Sequence, residues 1–229
     1  MIQHIPGPSG VLEALVDDPR SMCTTASPSP APLVSDAAIA SQAGIIERPT
    51  AAVVLAHPHP QYGGTMHTKV VFQAAKAFCR LGCAVLRFNF RGVGVSAGTF
   101  SGGDGELEDC RAGLDFMADR FPGVPLWAAG VSFGSWVAMT VGARDDRVAA
   151  LMGIAVPSKL YDFSAARDSQ KPKYFIHGEH DQLCPLRAVW ELYGQSAEPK
   201  ELVVIDGADH LFDGHVSEVA DAIADLLGQ

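Results

Sequence analysis

Apolar runs separated by amphipathic stretches dominate the chain from residue 51 onwards. Runs of four to nine apolar residues, ended by glycine, proline or polar residues, are typical of strands buried inside a parallel sheet. Seven runs predict strands, at residues 10–16, 51–56, 83–90, 124–129, 148–156, 173–177 and 201–205.

Between these runs, apolar side chains recur at the helical spacing of three and four residues. In the segment 104–120, for example, Leu107, Cys110, Leu114 and Met117 share one face. Helices are predicted at 66–80, 104–120, 135–141, 186–193 and 216–227. Strands that alternate with helices predict an α/β fold with a mostly parallel central sheet and helices on both faces.

Residues 18–44 interrupt this alternation. They are rich in proline, serine, alanine and threonine, so they contribute little to a core and predict a flexible surface insertion. A short helix at 35–43 and a strand at 45–47 are compatible with the sequence. The insertion could also close over a functional site as a partial lid. With 229 residues, 1–229 is predicted to be a single domain.

The pentapeptide Gly-Val-Ser-Phe-Gly at 130–134 lies between a predicted strand and a predicted helix. A tight strand-to-helix turn of this kind exposes its central serine, Ser132, in a strained backbone conformation. Neighbouring backbone crowds the positions two before and two after the serine, which favours glycine at both. The helix that follows directs the positive end of its dipole towards the serine.

Polar residues lie at or just after the ends of the other predicted strands, at the edge of the sheet where ligands bind in parallel α/β proteins. They are His57, Asn89, Arg91, Asp181 and His210. A nucleophilic serine needs a base, and an imidazole base needs a carboxylate that fixes its tautomer. Ser132, Asp181 and His210 occur in the chain order Ser, Asp, His.

With these motifs, the chain from about residue 53 resembles the α/β-hydrolase superfamily. The likeness is to its small, lidless members, the dienelactone-hydrolase-like proteins and short-chain carboxylesterases. The motifs that carry the resemblance are HPHPQYGGTM at 57–66, RFNFRGVG at 87–94, the serine turn, GEHD at 178–181 and GADH at 207–210. The resemblance implies Ser132 as nucleophile, Asp181 as orienting acid, His210 as base and the Phe133 N–H as one oxyanion donor.

The second oxyanion donor is expected in the loop after the strand at 51–56. The family has a His-Gly pair here, whereas this chain has His57-Pro58, so the position falls on the backbone of His59. Pro60 has no N–H and cannot donate, but Gln61 and Tyr62 remain alternatives. His57, Asn89 and Arg91 are expected to support the surrounding loops, although Arg91 could instead meet an anionic group of the substrate.

Other polar residues near these motifs are given lesser roles. Asp209 adjoins His210 on its N-terminal side, too close in sequence to reach its ring, and is expected to act within the loop. His180 is expected to be structural or solvated, and Cys184 lacks the turn that a nucleophile needs. His67 and His215 are expected to be exposed helix residues. A metal site made of His57, His59 and His67 lacks acidic partners and is not predicted.

Composition limits the classes of molecule that this protein is expected to bind. A net charge of −9 disfavours nucleic acid and anionic membranes, and a small-molecule ester is the expected substrate. Five cysteines without a Cys-x-x-Cys pair are interpreted as buried hydrophobic residues in a reducing compartment. The first ten residues lack the features of a secretion signal, which favours a cytoplasmic protein. No cofactor is predicted, and a homodimer is left open.

The segment 157–172 is too short to hold the helical cap that larger relatives insert there. An open site favours small or short-chain carboxylic esters, or thioesters, as substrates of a serine hydrolase. Two alternatives remain: a non-catalytic binding module on the same fold, and a peptidase or acyltransferase that uses the same three residues.

Overall fold

The computed structural model describes residues 2–19 and 48–228. Its strands are β1 (Ile2–Gly7), β2 (Gly10–Asp17), β3 (Ala52–Ala56), β4 (Ala84–Phe88), β5 (Leu126–Val131), β6 (Val148–Ile154), β7 (Lys173–Gly178) and β8 (Lys200–Ile205). Its helices are α1 (Lys69–Arg80), α2 (Asp104–Arg120), α3 (Phe133–Arg144), α4 (Ser164–Asp168), α5 (Leu186–Gln195) and α6 (Val216–Leu227). A short 3₁₀ turn, Pro60–Tyr62, follows β3.

The strands form one sheet in the order β1-β2-β4-β3-β5-β6-β7-β8. The six strands β3 to β8 are parallel to one another, whereas β1 and β2 are antiparallel at one edge. The predicted α/β fold with a mostly parallel sheet is therefore confirmed.

Buried side chains lie on both faces of the sheet, and they alternate along each central strand. In β3, Val54 packs in the cluster that contains Leu114 of α2, whereas Val53 packs in the cluster that contains Phe78 of α1. Helices α2 and α3 cover the first face, and α1 and α6 cover the second. Because both faces are covered, β3, β5 and β6 are continuously apolar, as their sequences predict, whereas β4 contains the buried Arg87.

The edge strand β1 was not predicted. Ile5 is its only buried side chain, and Pro6 interrupts it, so the segment carries almost no hydrophobic pattern. Its partner β2 supplies the pairing, with Ile5 opposite Leu12. An edge strand tolerates proline because one of its sides has no partner.

Other predicted bounds also differ from the structure. The link between β6 and β7 was predicted to be irregular but contains the five-residue helix α4, before which the Asp162 carboxylate accepts a hydrogen bond from the N–H of Ser164. Helix α1 begins at Lys69 rather than at residue 66. From residue 20, the predicted insertion lies outside the described residues, as do the helix at 35–43, the strand at 45–47 and Cys23.

The four described cysteines are free and buried: Cys79, Cys83, Cys110 and Cys184. Burial raises the pKa of the Cys79 and Cys110 thiols to about 12, so both are protonated near neutral pH. Within 2–19 and 48–228, no helix has the length and apolar character needed to cross a bilayer.

Candidate active site

Ser132 lies at the tip of the turn between β5 and α3. Its φ of 52° and ψ of −122° place a non-glycine residue in a strained region of backbone space. A Cβ on Gly130 would overlap the backbone of Gly134, and a Cβ on Gly134 would overlap the carbonyl of His57. Both glycines are therefore needed so that neighbouring backbone can pass close to Ser132.

A substitution at Gly134 tests this crowding. We expect Gly134→Ala to lower the free energy of unfolding by about 1–3 kcal/mol, because the new methyl group must push backbone apart. Gly194→Ala is the matched control, since a Cβ there meets no atom of the described residues within 4 Å and alanine favours the helix α5. Urea unfolding measures both variants, and equal stabilities would contradict the expectation.

Three side chains from separate loops meet beside this turn. The Oγ of Ser132 lies 2.8 Å from Nε2 of His210, and Nδ1 of His210 lies 2.7 Å from Oδ2 of Asp181. The other carboxylate oxygen of Asp181 accepts hydrogen bonds from the backbone N–H groups of Leu183 and Cys184, at 2.9 and 2.8 Å. A serine, a base and an oriented carboxylate thus stand in one hydrogen-bonded line.

Asp181 is ionised despite being only 4 % exposed. Burial by itself would raise the pKa of its carboxyl group, but hydrogen bonds from His210 and from the Cys184 N–H outweigh burial and leave that pKa below its usual range. The carboxylate can therefore fix the tautomer of His210 and stabilise an imidazolium there.

The loops that carry Asp181 and His210 are tied to each other. The N–H of His180 donates to the carbonyl of Ala208, and the N–H of Gly207 donates to the Glu179 carboxylate. A Cβ on Gly178 would overlap the backbone of Ala208, so the two loops touch at this point. This contact sets the distance between the carboxylate and the imidazole.

Two backbone segments flank Ser132 where an oxyanion would form. Phe133 is the first residue of α3, so its N–H has no partner within the helix. The ring of His59 packs on that of Phe133 at 5.0 Å between centroids, which brings the loop after β3 to the same place. Gln61 and Tyr62 donate their N–H groups to Nδ1 and to the carbonyl of His59. Both alternatives are thus occupied, which favours the backbone of His59 as the second donor.

His57 is buried beneath this loop. Its Nδ1 lies 2.6 Å from the carbonyl of Pro58, and its Nε2 lies 3.1 Å from the N–H of Phe90. The backbone N–H can only donate, so Nε2 is unprotonated and the ring is neutral. The neutral ring links the loop after β3 to the loop after β4.

The neutral ring also couples stability to pH. Burial lowers the pKa of His57 from 6.5 to about 4, so between these values the unfolded chain binds this proton more readily. We expect the free energy of unfolding to fall by on the order of 3 kcal/mol through this residue as the pH drops from 6.5 to 4. Urea unfolding of wild type and His57→Gln across that range measures the difference, and parallel pH dependences would contradict it.

Asn89 and Arg91 are both held by other side chains. Asn89 accepts a hydrogen bond from the N–H of Met66 and donates one to Glu13 of β2. Arg91 pairs with Asp109 of α2 through two of its guanidinium nitrogens, with the closest approach at 2.8 Å. Because the Arg91 side chain is only 9 % exposed and its guanidinium is engaged in this way, the geometry disfavours contact between Arg91 and an anionic substrate group.

Sequence reasoning did not identify Glu13 and Asp109 as partners. Asp109 is buried in α2, but it lies beside the predicted apolar face rather than on it, so the helical pattern gave no signal for it. Glu13 carried no signal either, since its role depends on a contact with Asn89, 76 residues away.

The remaining polar residues lie outside the line of Ser132, His210 and Asp181. One oxygen of Asp209 accepts from the N–H groups of Leu211 and Asp213, so this side chain acts within its own loop. The side chain of His180 is 68 % exposed. Contrary to expectation, His67 precedes α1 rather than lying within it, and His215 at the start of α6 is partly buried and bonded to Glu218. In the described ranges, no group of three or more His, Cys, Asp or Glu side chains could hold a metal ion.

An open cavity of about 540 Å³ adjoins Ser132 and His210. Its other walls are aromatic, aliphatic or proline side chains, with His59 as a further polar group. The lining residues are Pro58, His59, Tyr62, Ser132, Phe133, Pro157, Leu160, Tyr161, Leu183, His210 and Leu211. None of these side chains carries a carboxylate or an ammonium group, so the cavity suits an uncharged apolar group.

The segment between β6 and β7 is described in full, and α4 is its only helix. The stretch is too short for a cap domain over the cavity. Instead, Trp136 of α3 stacks on Tyr161 at 4.8 Å between ring centroids and donates its indole N–H to the carbonyl of Asp162. These contacts hold the segment against α3 as one wall of the cavity.

Known proteins are similar to this chain along most of its length. Residues 47–161 match the family described as Serine aminopeptidase, S33. An uncharacterized protein of Rickettsia prowazekii is 35% identical over 189 residues, which cover 78% of this chain and 79% of that protein.

Two solved structures are similar over almost the whole chain. An alpha-beta serine hydrolase homologue from Coxiella burnetii is 32% identical, with a TM-score of 0.83, and the match covers 99% of this chain and 97% of that one. A serine hydrolase without a lid from Xanthomonas campestris is 31% identical, with a TM-score of 0.81, and the match covers 100% of this chain and 93% of that one.

Proposed function

The chain belongs to the α/β-hydrolase superfamily, in the family described as serine aminopeptidase, S33. Within this superfamily, we propose that it hydrolyses small or short-chain carboxylic esters through an acyl-enzyme on Ser132. One observation carries the proposal. The line of Ser132, His210 and Asp181 opens onto a cavity of about 540 Å³ whose walls are mostly apolar and carry no carboxylate or ammonium group.

The proposed reaction begins when Nε2 of His210 takes the proton of the Ser132 hydroxyl as Oγ attacks the ester carbonyl carbon. The electron pair of the carbonyl moves onto its oxygen, which receives hydrogen bonds from the N–H groups of Phe133 and His59. Each oxyanion donor typically contributes a few kcal/mol to the stability of this state. Asp181 stabilises the imidazolium that has formed.

Collapse of this intermediate breaks the bond to the leaving oxygen, which takes the proton from His210. Water then enters, His210 removes its proton, and the hydroxide attacks the acyl-enzyme. Ser132 leaves with the proton returned by His210, so the net reaction consumes one water and yields an acid and an alcohol. A thioester would follow the same course with sulfur as the leaving atom.

The family description also raises the possibility of aminopeptidase activity. An enzyme that selects a free amino terminus needs an anionic group beside the scissile bond to bind the ammonium. The cavity walls named above include no carboxylate, and the Asp181 carboxylate is engaged by His210 and two N–H groups. These contacts favour an ester over a peptide as the substrate.

A panel of chromogenic substrates tests the proposal. We expect kcat/KM to be highest for p-nitrophenyl acetate and butyrate, at least about 10-fold lower for the decanoate, and undetectable for alanine p-nitroanilide. The cavity is open, with no cap to cover a long acyl chain, and its walls include no carboxylate to bind an ammonium group. Faster hydrolysis of the decanoate would contradict short-chain specificity. Cleavage of the anilide would favour a peptidase, and butyrate transfer to added methanol in preference to water would favour an acyltransferase.

A further inference from the structure

His177 is a fully buried histidine near the end of β7, four residues before Asp181. The hydrolytic steps above do not use it. Its Nε2 lies 2.8 Å from the carbonyl oxygen of Cys184 and 3.3 Å from Oδ2 of Asp181. Both neighbours are acceptors, so Nε2 carries a proton, which it donates to the Cys184 carbonyl.

The opposite edge of the ring has no partner within residues 2–19 and 48–228. Nδ1 of His177 is buried and makes no hydrogen bond to any of these residues. Burial lowers the pKa of His177, which keeps the ring neutral near pH 7 although Asp181 lies beside it. A buried acceptor without a hydrogen bond destabilises the fold. The polar contacts of the ring that stabilise the structure are therefore on the edge that faces the Asp181 turn.

That edge closes the turn from Asp181 to Cys184. The N–H of Cys184 donates to Oδ1 of Asp181, while the carbonyl of the same residue accepts from His177. The peptide groups that orient the carboxylate are thus anchored to β7 through one imidazole. The positive end of the Nε2–H dipole also lies near Oδ2, the oxygen that accepts from His210.

We propose that His177 is a positioning residue, which holds the Asp181 carboxylate in the orientation that His210 requires. The role rests on the proposed function, because it matters only if Asp181 orients a catalytic base. A neutral donor suits this position, since a second cation beside Asp181 would compete with the imidazolium of His210 for the same oxygen.

Two substitutions separate the donor from the bulk of the ring. His177→Leu removes the Nε2 donor and keeps an apolar filling, whereas His177→Gln places an amide N–H₂ the same number of bonds from the backbone. We expect H177L to lower kcat for p-nitrophenyl butyrate by about 10-fold and to change KM by less than about 3-fold. Because H177Q restores an N–H donor, its kcat is expected to lie within about 3-fold of wild type. Far-ultraviolet circular dichroism establishes that both variants are folded.

A double-mutant cycle tests whether His177 acts through Asp181. In an Asp181→Asn background, H177L is expected to cause no further loss, because the oriented carboxylate is already gone. The rate of covalent labelling by a fluorophosphonate is the second readout, since it reports the reactivity of Ser132 without an ester substrate. H177L should slow labelling about 10-fold, and H177Q should restore it.

The outcomes distinguish the two proposals. Equal labelling rates and kcat in wild type and H177L would overturn the role of His177 and leave the proposed function standing. An additive loss in the double variant would also overturn it, since the two residues would then act independently. A wild-type protein that the fluorophosphonate does not label would overturn the proposed function and, with it, the role of His177.

Discussion

Replacing Ser132 with alanine is expected to lower kcat for p-nitrophenyl butyrate by about 10⁴- to 10⁶-fold. The hydroxyl removed is the group that lies 2.8 Å from Nε2 of His210, and without it no acyl-enzyme can form. The backbone donors and the cavity stay in place, so a small residual acceleration over water remains. Initial rates and fluorophosphonate labelling measure the loss, and labelling should disappear altogether.

Ser158 provides the matched control. It is a second serine near the site, with its Oγ 3.4 Å from Sγ of Cys184, and it does not line the cavity beside Ser132. Ser158→Ala is expected to keep kcat within about 3-fold of wild type, as is usual for a substitution outside the reacting groups. If activity survived in Ser132→Ala and was lost in Ser158→Ala, the nucleophile assignment would be wrong.

The second large effect is expected from Asp181→Asn, with a fall in kcat of about 10³- to 10⁴-fold and little change in KM. The carboxylate accepts from Nδ1 of His210 at 2.7 Å, which directs the lone pair of Nε2 at Ser132. An amide nitrogen placed against Nδ1 would favour the other tautomer, and the neutral amide would no longer stabilise the imidazolium. Steady-state kinetics across pH 6–9 measure the loss.

Asp209 offers the corresponding control in the adjacent loop. Its Oδ1 accepts from the N–H groups of Leu211 and Asp213, and an asparagine keeps that oxygen. Asp209→Asn is therefore expected to retain kcat within about 3-fold of wild type, because asparagine can form the same turn. A severe loss in this variant together with an active Asp181→Asn would transfer the role of the acid to Asp209.

Elements with strong local patterns could be predicted from the sequence. Helix α2 spans Asp104–Arg120, as its apolar spacing predicts, and the central strands fall within a few residues of their apolar runs. Strand β1 could not be predicted, because only Ile5 is buried and the strand exists through its pairing with β2. Helix α4 is five residues long and too short to show a period.

Some residues of the candidate site could likewise be predicted from the sequence, and others could not. The pentapeptide around Ser132 and the chain order of serine, acid and histidine identify three side chains, and the structure brings them into hydrogen-bonding distance. Three further side chains around the site were not identified: Glu13 contacts Asn89, Asp109 contacts Arg91, and His177 contacts the carbonyl of Cys184. Each acts on its partner through a fold-dependent contact that leaves no repeating pattern in the sequence.

The sequence by itself determined the alternation of strands and helices and the tight turn at Ser132, because hydrophobic periodicity and glycine placement act over a few neighbouring residues. The resemblance implied His210 as the base, but only the tertiary structure decided how each imidazole is oriented and held. His57, His59, His180 and His210 all follow strands at the same edge of the sheet, yet their rings differ in burial, orientation and hydrogen bonding. The orientation of each ring depends on contacts between loops far apart in sequence, such as the one between Gly178 and Ala208, and these form only when the sheet aligns its strands.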